Sequence, residues 1–288
     1  MEHASSMQEM EDPYKASPGA GIIDARTDPE AANRAVARAL APTDGTPVIE
    51  PPPDGSVTLP GGYLHVADGC IYTEAEVREL TGVDEEMLAK PEVTKSLGRF
   101  TQLLLQRGVT RLGPFENPDN NMIGSLLVGD RDMLLIAIRC ATYGKELEME
   151  VNCPACNELL DLKYDLSTDI PIKRMEDPRE RSFVFDTRSG HKLTANLAVG
   201  FDQEAILNAG NKTIPELNTL LLSRCVLDDA GVPLGVDGVR ALGIQDRRTL
   251  LKQITERQPG PKYQEIDITC PVCGKEFPLP LSLYDLFR

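Results

Sequence analysis

Residues 145–166 read KELEMEVNCPACNELLDLKYDL, and residues 263–283 read YQEIDITCPVCGKEFPLPLSL. In both, alternating polar and apolar residues flank a Cys-Pro-x-Cys turn. Each stretch therefore predicts strand, knuckle, strand, and the pair forms an internal repeat. Such a turn points both thiolates inward and lets backbone N–H groups bond to sulfur. The residue after the second cysteine is Asn157 in one copy and Gly274 in the other, the types that accept positive φ. Cys153, Cys156, Cys270 and Cys273 thus supply four thiolates, the tetrahedral set that Zn²⁺ prefers. By count, 113 residues separate the knuckles. One structural zinc per chain would join two distant segments, 145–170 and 263–288, into a split zinc ribbon, and would close a long loop. Two redox pairs, separate metal sites or iron are the alternatives. Neither pair has the βαβ context of a thioredoxin-like motif.

Outward from the first knuckle, GDRDMLLIAIRCATY at 129–143 predicts a helix that is apolar nearly all round, hence central and buried. Asp130 is the expected cap, Arg131 is expected to pair locally, and Gly144 stops the helix. SVTLPGGYLHV at 56–66 predicts strand, turn, strand around Gly61-Gly62, with Cys70-Ile71-Tyr72 extending the sheet. Residues 73–80 fit strand or helix equally. Asp84 reads as an N-cap, Pro91 as the end of that helix, and 92–107 as one helix closed by Gly108. SFVFDT and HKLTANLAV, joined by Arg188-Ser189-Gly190, predict a hairpin. Helices are expected at 201–210, at 213–227 with Leu217, Leu220, Leu221 and Cys225 inward, and at 245–257 with Asp246 as cap. The fold class is α+β, helices packed with short antiparallel hairpins.

The 45 acidic and 30 basic side chains give a formal charge of −15. A protein that follows phosphate backbones or anionic membranes needs the opposite excess, so no nucleic-acid or membrane partner is expected. No apolar run approaches the roughly 18–20 residues of a membrane span. MEHASSMQEMEDPYK lacks the basic and apolar regions of a secretory signal, so a cytoplasmic location and reduced or metal-bound cysteines are expected. Residues 1–60 hold 9 of the 22 prolines and a net charge of −6. Residues 1–55 are expected to be a disordered acidic tail, apart from a possible Ala-rich helix at 28–41, with a zinc-stapled domain over 56–288.

Signatures of catalysis are missing: no HExxH, no GxxxxGK[ST] or GxGxxG phosphate loop, no GxSxG elbow. The acidic runs Glu146-Glu148-Glu150 and Asp84-Glu85-Glu86 fit a solvated strand face and a helix start. Cys140 and Cys225 fit helix cores, Cys70 is isolated, and His65 and His191 fall on strands. The residues point to a non-enzymatic interaction or assembly protein without a small-molecule substrate. A zinc-ribbon nucleic-acid-binding regulator and a dithiol redox protein are the alternatives.

The order LPGGYL (59–64), VRELTGVDEEML (77–88), LLVGDRDMLLIAIRCATYGKELEMEVNCPACN (126–157), SGHKL (189–193) and ITCPVCGKEFPLPLSLYDLF (268–287) resembles the baseplate hub assembly chaperones of T-even-phage type. That family occurs in contractile phage tails and bacterial contractile injection systems. The resemblance implies a role in building the baseplate hub, with hub, spike or tube-end proteins as partners and possible association with the particle. It also implies Cys153, Cys156, Cys270 and Cys273 as metal ligands, and 129–132 as the turn that starts the central helix.

Overall fold

The computed structural model describes residues 55–263, 266–278 and 285–287. The expected acidic tail with its helix at 28–41, and residues 279–283 of the last expected strand, lie outside the described residues. The elements run β1 (Ser56–Leu64), β2 (Ile71–Val77), α1 (Gly82–Leu88), α2 (Pro91–Thr94), α3 (Leu97–Gly108), β3 (Val109–Leu112), β4 (Phe115–Glu116), α4 (Asn120–Ser125), α5 (Val128–Tyr143), β5 (Glu146–Asn152), β6 (Leu159–Asp165), β7 (Ile172–Lys173), β8 (Ser182–Asp186), β9 (Lys192–Asn196), α6 (Gly200–Leu207), α7 (Ile214–Cys225), β10 (Val226–Leu227), α8 (Gly235–Ala241), α9 (Ile244–Arg257), β11 (Gly260–Pro261), β12 (Asp267–Thr269) and β13 (Glu276–Pro278). Helices and short antiparallel strand pairs are mixed, as the alternation and turn signals predict. The strands form a sheet ordered β1-β2-β3-β4, a sheet ordered β10-β9-β8, and the pairs β5-β6, β12-β13 and β7-β11.

Helix α5 is central because two cores need it. One face of it, with Leu134 and Ile138, packs with Leu59, Leu104, Leu105 and Leu112 against the four-stranded sheet. Ile136 on another face packs with Val151, Leu160, Ile268 and Phe277 of the two knuckle hairpins. This double burial is why the helix is apolar nearly all round. A third cluster, including Phe185, Leu193, Leu222, Val226, Val239 and Leu250, seats α7, α8 and α9 on β8-β9-β10.

Several local expectations are corrected by packing. Gly61-Gly62 is no turn; β1 runs through it with an irregularity between Thr58 and Tyr63. The glycines serve close approach instead: a Cβ on Gly61 would lie 2.6 Å from Leu127 Cδ1, and Gly62 has φ +74°. Residues 73–77 are strand, paired with both β1 and β3. Asp84 is the third residue of α1, not its cap; Thr81 caps. Asp246 likewise is the third residue of α9, where it is buried and accepts from the Arg188 backbone N–H. Pro91 starts a short helix rather than ending one. The expected 92–107 helix breaks at Lys95-Ser96, where the Ser96 hydroxyl accepts from Arg99 N and restarts it. Gly108 is the last residue of α3, as expected, but not through a left-handed turn; a Cβ there would lie 2.5 Å from Ile138 Cδ1. In α7 the buried line is Thr219, Leu222 and Cys225, and the chain turns to strand at Val226. Helix α8, with two glycines in seven residues, carries no clear helical signal in sequence.

Candidate metal centre

The four cysteines that the spacing singles out come together. Their ligand atoms all lie within 4.8 Å of one another. Cys153 Sγ is 3.6 Å from Cys273 Sγ, and Cys156 Sγ is 3.7 Å from Cys270 Sγ. These separations cross between the knuckles. They are too long for disulfides, and they match the roughly 3.8 Å edge of a tetrahedron with metal–sulfur bonds of about 2.3 Å. The donor set and spacing therefore fit a metal ion such as zinc.

Local sequence builds each half in the same way. In the first knuckle Cys153 N donates to Glu158 O at 2.8 Å and Asn157 N to Cys153 O at 2.9 Å. In the second, Cys270 N donates to Lys275 O at 3.0 Å and Gly274 N to Cys270 O at 2.9 Å. Asn157 has φ 59° and Gly274 φ 69°, the left-handed conformation their types allow. The strands hold the turns: Asn152 pairs with Leu159, and Thr269 with Glu276. The first cysteine of each knuckle is buried on the apolar cluster, and the second is exposed. The backbone N–H groups of Cys156 and then Ala155 draw the Cys153 thiol down to about 6. Cys156 receives a backbone N–H from Glu158, yet burial and the three neighbouring sulfurs push it up to about 12. The clustered sulfurs thus favour a thiolate on Cys153 and a proton on Cys156, and a divalent cation would displace that proton. Four thiolates complete a tetrahedral shell and leave no position for a water, the pattern of a structural site.

The remaining cysteines stay apart. Cys140 packs at the edge of the knuckle core, Cys225 is buried in the third core, and Cys70 is exposed. His65 stands over Phe115 and meets Asp68 at 3.0 Å, and His191 lies in the hairpin turn. None joins the four-sulfur cluster.

The charged start of α5 is more than the capped turn expected from sequence. Arg131 is fully buried, and its partner is not local: Nη1 donates to Glu204 Oε1 at 2.9 Å and Nη2 to Gln102 Oε1 at 3.2 Å. Gly200 makes room, since a Cβ there would lie 2.0 Å from Arg131 Nη1. Asp130 is not a cap; it is buried and accepts from Gly61 N at 2.7 Å, while its Oδ2 has no donor among the described residues. Asp132 accepts from Gln203 Nε2 at 3.2 Å. Burial pushes both carboxyls up to about 7. The signal was present in sequence: three charges in a row on a helix too apolar to have a solvent face.

The fold and cysteine cluster define a mixed helix-and-sheet protein with a candidate closed metal site. A family model described as T4 bacteriophage base plate protein matches residues 114–212. The match spans β4 to α6 and takes in α5 and the first knuckle, but not the second. It supports a phage baseplate-related protein. No curated protein and no solved structure matched. Among the described residues no helix is long and apolar enough to cross a membrane.

Proposed function

We propose that the chain is a non-enzymatic assembly chaperone or component of the baseplate hub of a contractile phage tail or contractile injection system, folded around one structural zinc. The baseplate-family match at residues 114–212 carries the reading. It falls on the segment that organises the fold, namely the central helix and the first metal knuckle. Cys153, Cys156, Cys270 and Cys273 hold the zinc, which serves stability rather than reaction. The partners are hub, spike or tube-end proteins, and the protein associates with the particle during or after assembly. The charge of −15 supports protein rather than nucleic-acid partners.

Deleting the gene tests the role. Sheath and tube proteins should still be made, while complete contractile particles should be missing under the electron microscope. Normal particles in the deletion strain overturn the proposal. Mass spectrometry of purified particles then separates a permanent subunit from a transient chaperone.

A further inference from the structure

A cleft of about 340 Å³ opens between the start of α5, α6, α7, α9 and β11. Its walls are apolar, with Val128, Ile206, Leu207 and Leu221 among them. Three acceptor side chains line it as well. Asp132 is 8% exposed, and its one hydrogen bond to a described residue comes from Gln203 Nε2 at 3.2 Å, on Oδ1. That donation orients the Gln203 amide, and Gln203 Oε1 is buried without a donor among the described residues. Gln258 Nε2 donates to Ala198 O at 3.0 Å, which fixes that amide too, and Gln258 Oε1 is again buried without a donor. Turning the Gln258 amide over would set oxygen against the Ala198 carbonyl, and turning Gln203 over would do the same against an ionised Asp132, so the orphan acceptors are properties of the packing.

Two nearby cations act on Asp132 through space and also hydrogen-bond other groups. Arg131 reaches Glu204 and Gln102, and Lys262 Nζ donates to Gln258 O at 3.2 Å. A buried acceptor left unmade costs about 1–3 kcal/mol, more when it is charged. Two such amide oxygens beside the buried Asp132 carboxyl make a site suited to a donor-rich guest.

We propose that this cleft binds a guanidinium group, the side chain of an arginine on a partner protein. A guanidinium presents five N–H donors in a fixed plane and so can serve acceptors lying in different directions, whereas an ammonium is a strongly hydrated point charge. The aliphatic stem of arginine suits the apolar walls. Burial lifts the Asp132 carboxyl against the opposing pull of Gln203, Arg131 and Lys262, so a further cation at the cleft would favour its charged form. The inference rests on the baseplate reading only for the identity of the partner; the binding itself is tested on the isolated chain.

The probes are N-acetyl-arginine methylamide and its uncharged isostere N-acetyl-citrulline methylamide, titrated into the full zinc-loaded chain and followed by NMR. Arginine should bind saturably, one per chain, and citrulline about tenfold more weakly or worse, because charge-assisted bonds are roughly twice as strong as neutral ones. Asp132→Asn should weaken arginine binding by a similar factor. Thr255→Trp, at an exposed position on the rim, should block it without touching the core. If Asp132→Asn does not fold, the citrulline comparison and the rim variant decide. Absence of saturable arginine binding, equal binding of citrulline or of N-acetyl-lysine methylamide, or full binding by Thr255→Trp overturns the proposal. Any of these would leave the particle-assembly experiment unaffected.

Discussion

Replacing Cys156 by serine separates a shared metal from simple packing, because Cys156 is exposed and fills no core space. An exposed substitution without a special role changes stability by within about 0.5 kcal/mol. A shared metal gives a much larger figure. Cys153 and Cys273 are 120 positions apart, and the hairpins β5-β6 and β12-β13 share no strand pairing. A crosslink closing a loop of that length removes about 5 kcal/mol of chain entropy from the unfolded state. The apolar cluster under the knuckles still joins the hairpins, so the net loss is expected at about 3–5 kcal/mol. That is a large part of the roughly 5–15 kcal/mol of an ordinary domain. Zinc content by elemental analysis and urea unfolding with and without chelator form the assay. Wild type should carry one zinc and shift its midpoint down on chelation; Cys156→Ser should carry none and ignore the chelator. Cys273→Ser should behave alike, and the double variant should be no worse than either single one, because the site is lost once. A Cys156→Ser chain that keeps one zinc and its urea midpoint refutes the shared site. Retention at the second knuckle alone would mean two separate sites.

Asp84 is buried, meets Arg78 at 2.8 Å and Arg107 at 2.5 Å, and accepts from Thr81 N. Burial alone would raise its carboxyl, but Arg78, Thr81 and Arg107 override this and hold it well below the usual range. Its stabilisation is therefore present above the unfolded value of about 4 and is lost as pH falls below it, and Asp84→Asn should cost about 3–5 kcal/mol at neutral pH with a flatter acid limb in thermal melts. For Asp130 the sign is reversed: its carboxyl rises to about 7 when folded, so stability falls as pH climbs from about 4 to about 7. Asp130→Asn should match wild type near pH 4 and exceed it at pH 8, by at most about 4 kcal/mol; equal melting curves at pH 8 would contradict the buried charge. In Gly129→Ala, the new Cβ would sit 1.7 Å from Pro259 O, a backbone atom that cannot step aside. A loss of about 3 kcal/mol or more is expected in urea unfolding, against almost none for Ser189→Ala in the exposed hairpin turn.

What could be read early was whatever chemistry lies close together in the chain. The two CPxC turns, the left-handed Asn157 and Gly274, the hairpin at Ser189-Gly190 and the central helix all obey rules that span a few residues. Capping failed instructively. Asp84, Asp130 and Asp246 are each the third residue of a helix, buried, and bonded to groups outside their own helical turn or to the residue before the helix. An aspartate near a helix start is visible in sequence, but its frame depends on what the helix packs against. The same holds for Arg131, whose partner Glu204 lies 73 residues on. No local rule could supply that pairing, because burying a guanidinium requires a carboxylate and a glycine-made space brought in by another helix.

Residue type and short spacing therefore sufficed for the four candidate metal-ligating cysteines, the repeat that presents them and the acidity that disfavours polyanion partners. Long-range packing alone set the knuckles face to face across 113 intervening residues, buried the three charges that open a helix, and gathered two amide oxygens, unpaired among the described residues, around one cleft. Those depend on which elements share a core, and cores are chosen by the burial of the whole chain rather than by any segment of it.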